Sequence, residues 1–428
     1  MRIAYLSTDF GVPVHGTKGA SIHVREMVRA LAASGHEVTI FSPALEPGGA
    51  PADLGGAACV EVPPDPTHTA ALADLGRAEE RAGLSSPLRQ ELRNLLYSGP
   101  FAQRVLEHLQ GGPVDLVYER YSLFGHAGGA IARAVGVPHL LEVNAPLAEE
   151  RRRSRGLCLE ALARSSERRV WASADALIVV SRALRDLALE AGVPPERVHV
   201  MPNGVDPDRF EDPARLERLP IEARRRLKGA AVIGFLGSLK PWHGVEALIE
   251  AFASIHRRRP ATHLLIVGDG PLRETLECQV DRLGVSGAVT FSGAIAYDDV
   301  PAWLAPMDVT AAPYRDQEGF YFSPIKVFEY LAAGRAVVAG AAGQNAELLR
   351  HEETALLVPP GDAVRLESAI ERLIEDPALR ERLARNGREW VRRERTWAGN
   401  AARVTALGDD LRRNRVRTTG ASGKALLP

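Results

Sequence analysis

Residues 312–339 read APYRDQEGFYFSPIKVFEYLAAGRAVVA, a helix pattern handed directly to a buried strand. Ser323 and Pro324 are start signals, since proline suits the first helical position and serine the place before it. Gly334 is a stop signal, and the apolar run from Arg335 to Ala339 follows at once. Such a junction is half of a parallel βαβ unit. A helix N-terminus offers unpaired backbone N–H groups and the positive end of a dipole, so it suits a phosphate group. Glu329 lies almost two turns further in, where a carboxylate could reach a ribose beyond the phosphate. The plain alternative is a solvated glutamate on an ordinary α/β helix, and the local pattern leaves both open.

The same alternation extends outward in both directions. Short apolar runs predict strands at 3–7, 37–41, 116–119, 139–143, 176–180 and 198–201, then at 232–236, 263–267, 289–292, 309–312, 336–339 and 355–358. Amphipathic stretches such as 20–34, 181–191, 245–256 and 271–283 predict helices between them. This order implies parallel sheets with right-handed crossovers, covered by helices on both faces. Pro202, Asn203, Gly204 and Pro207 form a turn-rich boundary. A doubly wound sheet restarts after it, so the expected domains are 1–204 and 205–387. Two Rossmann-like domains facing across a cleft would bind their ligand at the carboxyl ends of both sets of strands. Residues 43–66, rich in Gly, Ala and Pro, are expected to form a mobile loop, and 412–428 a frayed tail.

Composition narrows the class. At 428 residues, 45% hydrophobic and 25% charged, the chain suits two globular domains. Lys+Arg 53 against Asp+Glu 54 gives a formal charge of -1, which speaks against a nucleic-acid partner. Cys59, Cys158 and Cys278 are isolated, so neither disulfides nor a zinc cluster are expected. No run is long enough to span a bilayer, and MRIAYLS reads as a buried strand, not a leader. The expected location is cytoplasmic, at most peripheral to the inner face of a membrane.

Several loops at strand ends carry candidate chemistry. In the first, 15–21, Gly16, Gly19 and Ala20 open a helix and let backbone approach a phosphate or sugar. It lacks the Gly-x-Gly-x-x-Gly spacing, and the next strand ends in Phe41-Ser42-Pro43 without an acid, so ordinary NAD binding is disfavoured. The second loop, 237–244, combines Gly237 and Ser238 with Lys240, Trp242 and His243; Lys240 could neutralise a diphosphate and His243 could donate to it. The alternative is a loop lysine and a structural histidine. In the third, Gly268 permits close approach, while Asp269 reads as a cap for the helix that follows. In the first domain the strand-end candidates for acceptor or sugar contact are Arg120, Tyr121, Glu142 and Asn144. His126, early in a helix, is as consistent with a satisfied structural histidine as with a sugar contact. The arginines at 151–155 read as a solvated helix face, with an anionic acceptor or membrane surface as the other possibility.

HGTKGASIHVREMVRALAASGHEVTIF, VSRALRDLALEAGVPPERVHVMPNGVD, GSLKPWHGVEALIEAF, LLIVGDGP and SPIKVFEYLAAGRAVVA, in this order, resemble family 4 of the retaining glycosyltransferases over roughly residues 1–395. The resemblance implies the α/β GT-B fold, with the acceptor on the first domain and a nucleotide-diphosphate sugar on the second. It implies that Glu329 holds the ribose hydroxyls and that backbone N–H groups of Ser323, Pro324's successor Ile325 and Lys326 contact the diphosphate. It places the base near Ile295, the glycine loop of Gly16 and Gly19 over the diphosphate, and His126 against the donor sugar. It implies too that a C-terminal helix, at 388–411, crosses back to the first domain. Two departures stand out. Where the family often has arginine and lysine in the second loop, this chain has Ser238 and His243, with Lys240 between. Where the family has a second glutamate, eight residues before Glu329, it has Tyr321; Glu318 would replace it only with a short insertion.

The expected reaction is a metal-independent, retaining transfer of a hexosyl group from a nucleotide-diphosphate sugar, with UDP as the default, to a small-molecule, glycan or lipid-linked hydroxyl. Catalysis would fall to His126, Lys240 and Glu329, with no cofactor beyond the donor. A sugar-nucleotide 2-epimerase of the same architecture, or a nucleotide-sugar-binding protein without turnover, are the alternatives.

Overall fold

The computed structural model describes residues 1–45, 53–154, 156–316 and 319–422, apart from the side chains of 213–214 and 416–422. Arg155, Glu318, part of the expected 43–66 loop and the end of the expected tail therefore lie outside the described residues. The chain divides into two compact units. One is Met1–Pro202 with the helix Trp397–Ser422, and the other is Asn203–Thr396.

The first unit holds strands β1 (Arg2–Ser7), β2 (Glu37–Ser42), β3 (Ala58–Glu61), β4 (Leu116–Arg120), β5 (His139–Val143), β6 (Ala176–Val179) and β7 (Val198–Val200). All pair in parallel, in the order β3-β2-β1-β4-β5-β6-β7. The order turns back on itself between β1 and β4, and there the loops that leave the two strands part to opposite sides. Strand β3 corrects the expectation of an unbroken loop at 43–66. Its four residues, ACVE, are too few to show an alternating pattern, and they pair with β2 only at the sheet edge. On one face of this sheet Leu6, Val117, Phe41, Phe101 and Ile131 share a core. On the other, Tyr5 and Tyr118 stack with their rings 5.0 Å apart.

The second unit holds β8 (Ala231–Leu236), β9 (Thr262–Val267), β10 (Val289–Phe291), β11 (Val309–Ala312), β12 (Ala336–Gly340) and β13 (Leu356–Val358), again all parallel. Their order is β10-β9-β8-β11-β12-β13, and its switch point lies between β8 and β11. Along β9, Leu264 and Ile266 enter one core cluster while Leu265 and Val267 enter the other. Both faces are covered, which explains why the strands read as continuous apolar runs.

The C-terminal part departs from expectation in two ways. The predicted single helix at 388–411 is two helices, Pro377–Glu394 and Trp397–Ser422. Between them the backbone is drawn away: Val205 N–H donates to Arg395 O at 2.9 Å, and Val205 pairs with Thr396 in an isolated bridge. The second unit accordingly runs to Thr396 and not to 387. Nor does the chain fray from residue 412, because the helix continues through Ser422. Arg412 lies 3.0 Å from Asp115 and Arg415 2.6 Å from Asp175, so basic residues that looked like a solvated tail are tied beside the starts of β4 and β6.

Packing on the first sheet yields a test. Glu119 Oε2 and His139 Nε2 lie 2.9 Å apart in the interior, under the helix Ala127–Val135. A Cβ added at Gly128 would fall 2.3 Å from that carboxylate oxygen and 2.6 Å from the ring nitrogen. Gly128→Ala should therefore cost about 2 kcal/mol of stability through overpacking. Gly19→Ala, where nothing lies within 4 Å, should be close to neutral. Urea denaturation of both variants measures the contrast.

Candidate functional site

In the second unit the site starts from backbone. Gly237 (φ 137) and Gly268 (φ 130) directly follow β8 and β9, in a region of φ that side chains rarely tolerate. A Cβ on Gly268 would lie 2.1 Å from Gly237 O. This close approach seats the loop after β8 on the loop after β9. Leu239 N–H donates to Asp269 O at 2.9 Å, and Leu272 N–H donates to Leu239 O at 3.1 Å. Gly268 N–H extends the arrangement to Gly293 O at 3.1 Å. Asp269 does not cap the next helix as expected. Its carboxylate accepts the N–H of Gly270, and the helix Arg273–Arg282 opens at Leu272 without a side-chain cap.

The loop after β8 then makes a 3-10 turn, Pro241–His243, ended by Gly244 at φ 68. Tyr314 N–H donates to His243 O and Arg315 N–H to Trp242 O, both at 3.2 Å, so this loop is joined to the loop after β11 across the switch point. Lys240 Nζ sits 4.8 Å from the centre of the Trp242 ring, a cation–π contact. Ser238 is exposed, and Ile295 packs half-buried beside the core.

Residues Ile325–Ala332 form the helix that the opening stretch predicted, with Pro324 at the N-cap and Gly334 at φ 65 past its end. Ser323 does not cap it. Its hydroxyl accepts the Asn203 N–H at 2.9 Å, and its carbonyl accepts Asn203 Nδ2 at 2.8 Å. The helix start thus has no side-chain cap. At its other end Leu236 N–H donates to Tyr330 Oη at 2.7 Å, which fixes the helix against the last residue of β8. Glu329 is only 4% exposed, so the solvated-glutamate alternative falls.

Lys326, 9% exposed, is the least ordinary group here. Its ammonium hydrogen-bonds His243 Nδ1 and lies 4.3 Å from the centre of the Phe235 ring and 5.7 Å from that of Tyr314. A Cβ on Gly237 would come within 2.6 Å of Nζ, so the glycine also makes room for the lysine. Burial brings Lys326 down to about 7, with Glu329 opposing the shift. Burial, then the charges of Lys326 and Lys240, brings His243 down to about 2, so its imidazole is neutral and Nδ1 accepts. A neutral ring that accepts at Nδ1 carries its proton on Nε2, so His243 can donate only from that side. Around this pair stand aromatics, of which Tyr314, Phe320 and Phe322 carried no signal in the sequence. Trp242 stacks on Phe322 at 6.2 Å, and Tyr314 meets Phe320 edge-on at 5.0 Å. Tyr321, in place of the family glutamate, packs against Phe322 at 4.4 Å.

In the first unit the candidates gather at the carboxyl ends of β1, β4 and β5. Buried Arg25 donates to Gly16 O at 2.5 Å, and a Cβ on Gly16 would lie 2.8 Å from Ser21 Oγ. Only this glycine is sterically required, since Gly19 and Ala20 simply open the helix Gly19–Ala33. After β4, Tyr121 N–H donates to Glu142 O at 2.8 Å, and Thr8 and Ser122 hydroxyls meet at 2.6 Å. Phe124 is buried at φ 67, a strained conformation for a bulky residue. His126 precedes the helix Ala127–Val135 and is exposed; its N–H donates to Ser98 Oγ at 3.2 Å. Glu142, 1% exposed, lies 2.5 Å from His23 Nε2 and accepts Asn144 Nδ2 at 3.1 Å. Burial raises its carboxyl, but His23, Arg120 and Asn144 outweigh that and bring it to about 2. His23 was missed; its only signal was a histidine on the apolar stripe of a helix. The arginine helix Leu147–Ser154 is partly neutralised, since Arg152, Arg153 and Arg164 all pair with Glu149.

Among the described residues, no group of three or more His, Cys, Asp or Glu side chains could hold a metal ion, and no helix is long and apolar enough to cross a membrane.

Known proteins match both halves. The family described as Glycosyltransferase Family 4 matches residues 17–209, and that described as Glycosyl transferases group 1 matches 221–390. The GDP-mannose-dependent alpha-(1-6)-phosphatidylinositol monomannoside mannosyltransferase of Mycobacterium tuberculosis is 36% identical over 261 residues, which are 59% of this chain and 66% of that protein, just short of two thirds of its length. The 2-deoxystreptamine glucosyltransferase of Streptomyces kanamyceticus is 30% identical over 273 residues, 62% of this chain and 68% of that one. In fold, Anabaena HepE in complex with UDP-glucose is similar at a TM-score of 0.71 and 19% identity, covering 96% of this chain and 100% of that one. Sucrose-phosphate synthase from Thermosynechococcus elongatus is similar at 0.72 and 22%, covering 96% and 98%.

The buried lysine makes a prediction about stability. Unfolded, Lys326 titrates in the ordinary range; folded, it titrates at about 7. Between those values the unfolded chain binds the extra proton, so stability should rise with pH. Lys326→Met should be more stable than the parent at pH 6, with the gap narrowing as pH rises above 7. Denaturant titrations at pH 6, 7.5 and 9 would read this.

Proposed function

This chain belongs to the group 1, family 4 glycosyltransferases, and from that premise we propose that it transfers a glycosyl group from a nucleotide-diphosphate sugar to an acceptor hydroxyl with retention at the anomeric carbon. The observation that carries the reading is the buried Glu329 on a helix without a side-chain cap, beside the glycine-lined ends of β8 and β9. Glu329 would take the ribose hydroxyls. The helix start would take the diphosphate through backbone N–H groups, and Lys240 and Lys326 would oppose its charge. Ile295 lies in the loop after β10 and would flank the base.

The requirement in such a transfer is to stabilise a departing diphosphate while positive charge develops on the sugar. Fixed N–H dipoles and ammonium groups supply that without a metal ion. The acceptor's proton would pass to the leaving phosphate on the same face, so no separate base is needed. The acceptor side of the reading falls to the first unit, where Arg120, Tyr121, His126, Glu142 and Asn144 gather. The donor is of the UDP or GDP class, since the mycobacterial mannosyltransferase is named for GDP-mannose and HepE was crystallised with UDP-glucose. An epimerase would need a carboxylate ready to take a proton, and of the strand-end candidates Glu142, brought to about 2, is a weak base.

A thermal-shift screen of UDP- and GDP-sugars should show one that raises the melting temperature by mass action. With that donor, Glu329→Ala and Lys240→Ala should each weaken nucleotide binding about tenfold or more, about 1.4 kcal/mol. Unchanged kinetics in both variants would overturn the assignment, and stabilisation without release of nucleoside diphosphate for any acceptor would favour a binding protein.

A further inference from the structure

Three cationic or imidazole groups stand near the end of β8, and they are not equivalent. Lys240 is engaged with Trp242, at 4.8 Å. His243 is neutral and accepts a hydrogen bond at Nδ1. Ser238, in the same loop, carries no charge. Lys326 is left as the cation lodged deepest in the site, against Gly237 and in the first turn of its helix. We propose that Lys326 is the charge-adjustable cation of the diphosphate subsite: held against His243 while the site is empty, it draws in a proton from solvent as the diphosphate arrives. The inference rests on reading this unit as a nucleotide-sugar site.

Geometry explains why the charge can vary. The ammonium is walled by Phe235 and Tyr314, which exclude water, and its hydrogen-bond partner is an imidazole, which cannot neutralise it. On its own helix it faces Glu329, among the described residues the one group that favours the charged form, and Tyr330, whose hydroxyl is pushed well above its ordinary range by burial. From the loop after β8 it faces His243, which stays neutral, and the same loop carries Lys240, whose charge acts on His243. From the loop after β11 it faces Tyr314, raised by burial and so un-ionised. Next to these, Arg315 and Glu246 cancel each other at 2.8 Å. Burial sets Lys326 to about 7, so the empty site holds a mixture of amine and ammonium in neutral solution. A diphosphate brings in the missing counter-charge and favours the ammonium. The proton adds to Nζ, no bond to carbon changes, and release of the nucleotide returns it.

The test is calorimetric titration of the intact protein with UDP and with GDP, in buffers of different ionisation enthalpy. For the nucleotide that binds, the parent should take up about half a proton per nucleotide at pH 7, approaching a full proton at pH 8. Lys326→Met should bind about tenfold or more weakly and lose this uptake. It also subtracts the phosphate's own ionisation. Since it replaces a buried charge with an apolar chain of similar length, it should fold. Lys326→Arg, whose charge is permanent, should bind without uptake. Equal uptake in the parent and either variant, or none in the parent, would overturn the proposal while leaving the nucleotide site intact. Binding of neither nucleotide by the parent would instead overturn the site itself.

Discussion

The second unit depends on how closely the backbone at Gly268 approaches the carbonyl of Gly237. A single added carbon would lie 2.1 Å from that oxygen. With it, the loop after β8 could not rest on the loop after β9, and Leu239 would lose both its backbone partners there. Gly237 in turn clears the space that Lys326 Nζ enters. Two missing side chains thus place a loop, a turn and a buried ammonium. The cost is conformational: two residues held at φ values that only glycine adopts readily.

The two units treat buried charge in opposite ways. In the first, Glu142 is surrounded by His23, Arg120 and Asn144, and that company keeps the carboxylate ionised against burial. In the second, Lys326 has aromatic walls and a neutral imidazole, and burial prevails down to about 7. The compensated charge joins the ends of β4 and β5 to the helix Gly19–Ala33. A poorly compensated one is poised to respond to an arriving anion. The contrast follows from the partners within reach, since both groups are almost completely buried.

Where the chain passes from one unit to the other, each unit secures its own side. Asn400 Nδ2 donates to Pro202 O at 2.8 Å in the first, and Asn203 holds Ser323 while Val205 pairs with Thr396 in the second. Asn203 is thereby linked to the residue that precedes the N-cap of the helix Ile325–Ala332. That link could not be inferred from the turn signals at 202–207, which announce a boundary but not its partners.

Much of this was legible in advance. The twelve predicted strands reappear within a residue or so at each end, because strands buried on both faces leave long apolar runs and their breaks are marked by glycine and proline. The helix 325–332 and its stop at Gly334 were legible for the same local reasons, as was the placing of Lys240 and His243 in the loop after β8 and of Lys326 and Glu329 on that helix. Edge strand β3, the break at Arg395 and the anchoring of Arg412 and Arg415 were not, since each depends on a partner far along the chain. The sequence by itself determined the fold class and the carboxyl-end loops that carry the candidate residues, through local periodicity and turn chemistry. Only the tertiary structure decided the state of each group: that Glu329 is buried, that Ser323 serves Asn203, and that Lys326 lies against a neutral His243. Burial and charge compensation are set by neighbours from other strands, and those neighbours exist only once the sheet has formed.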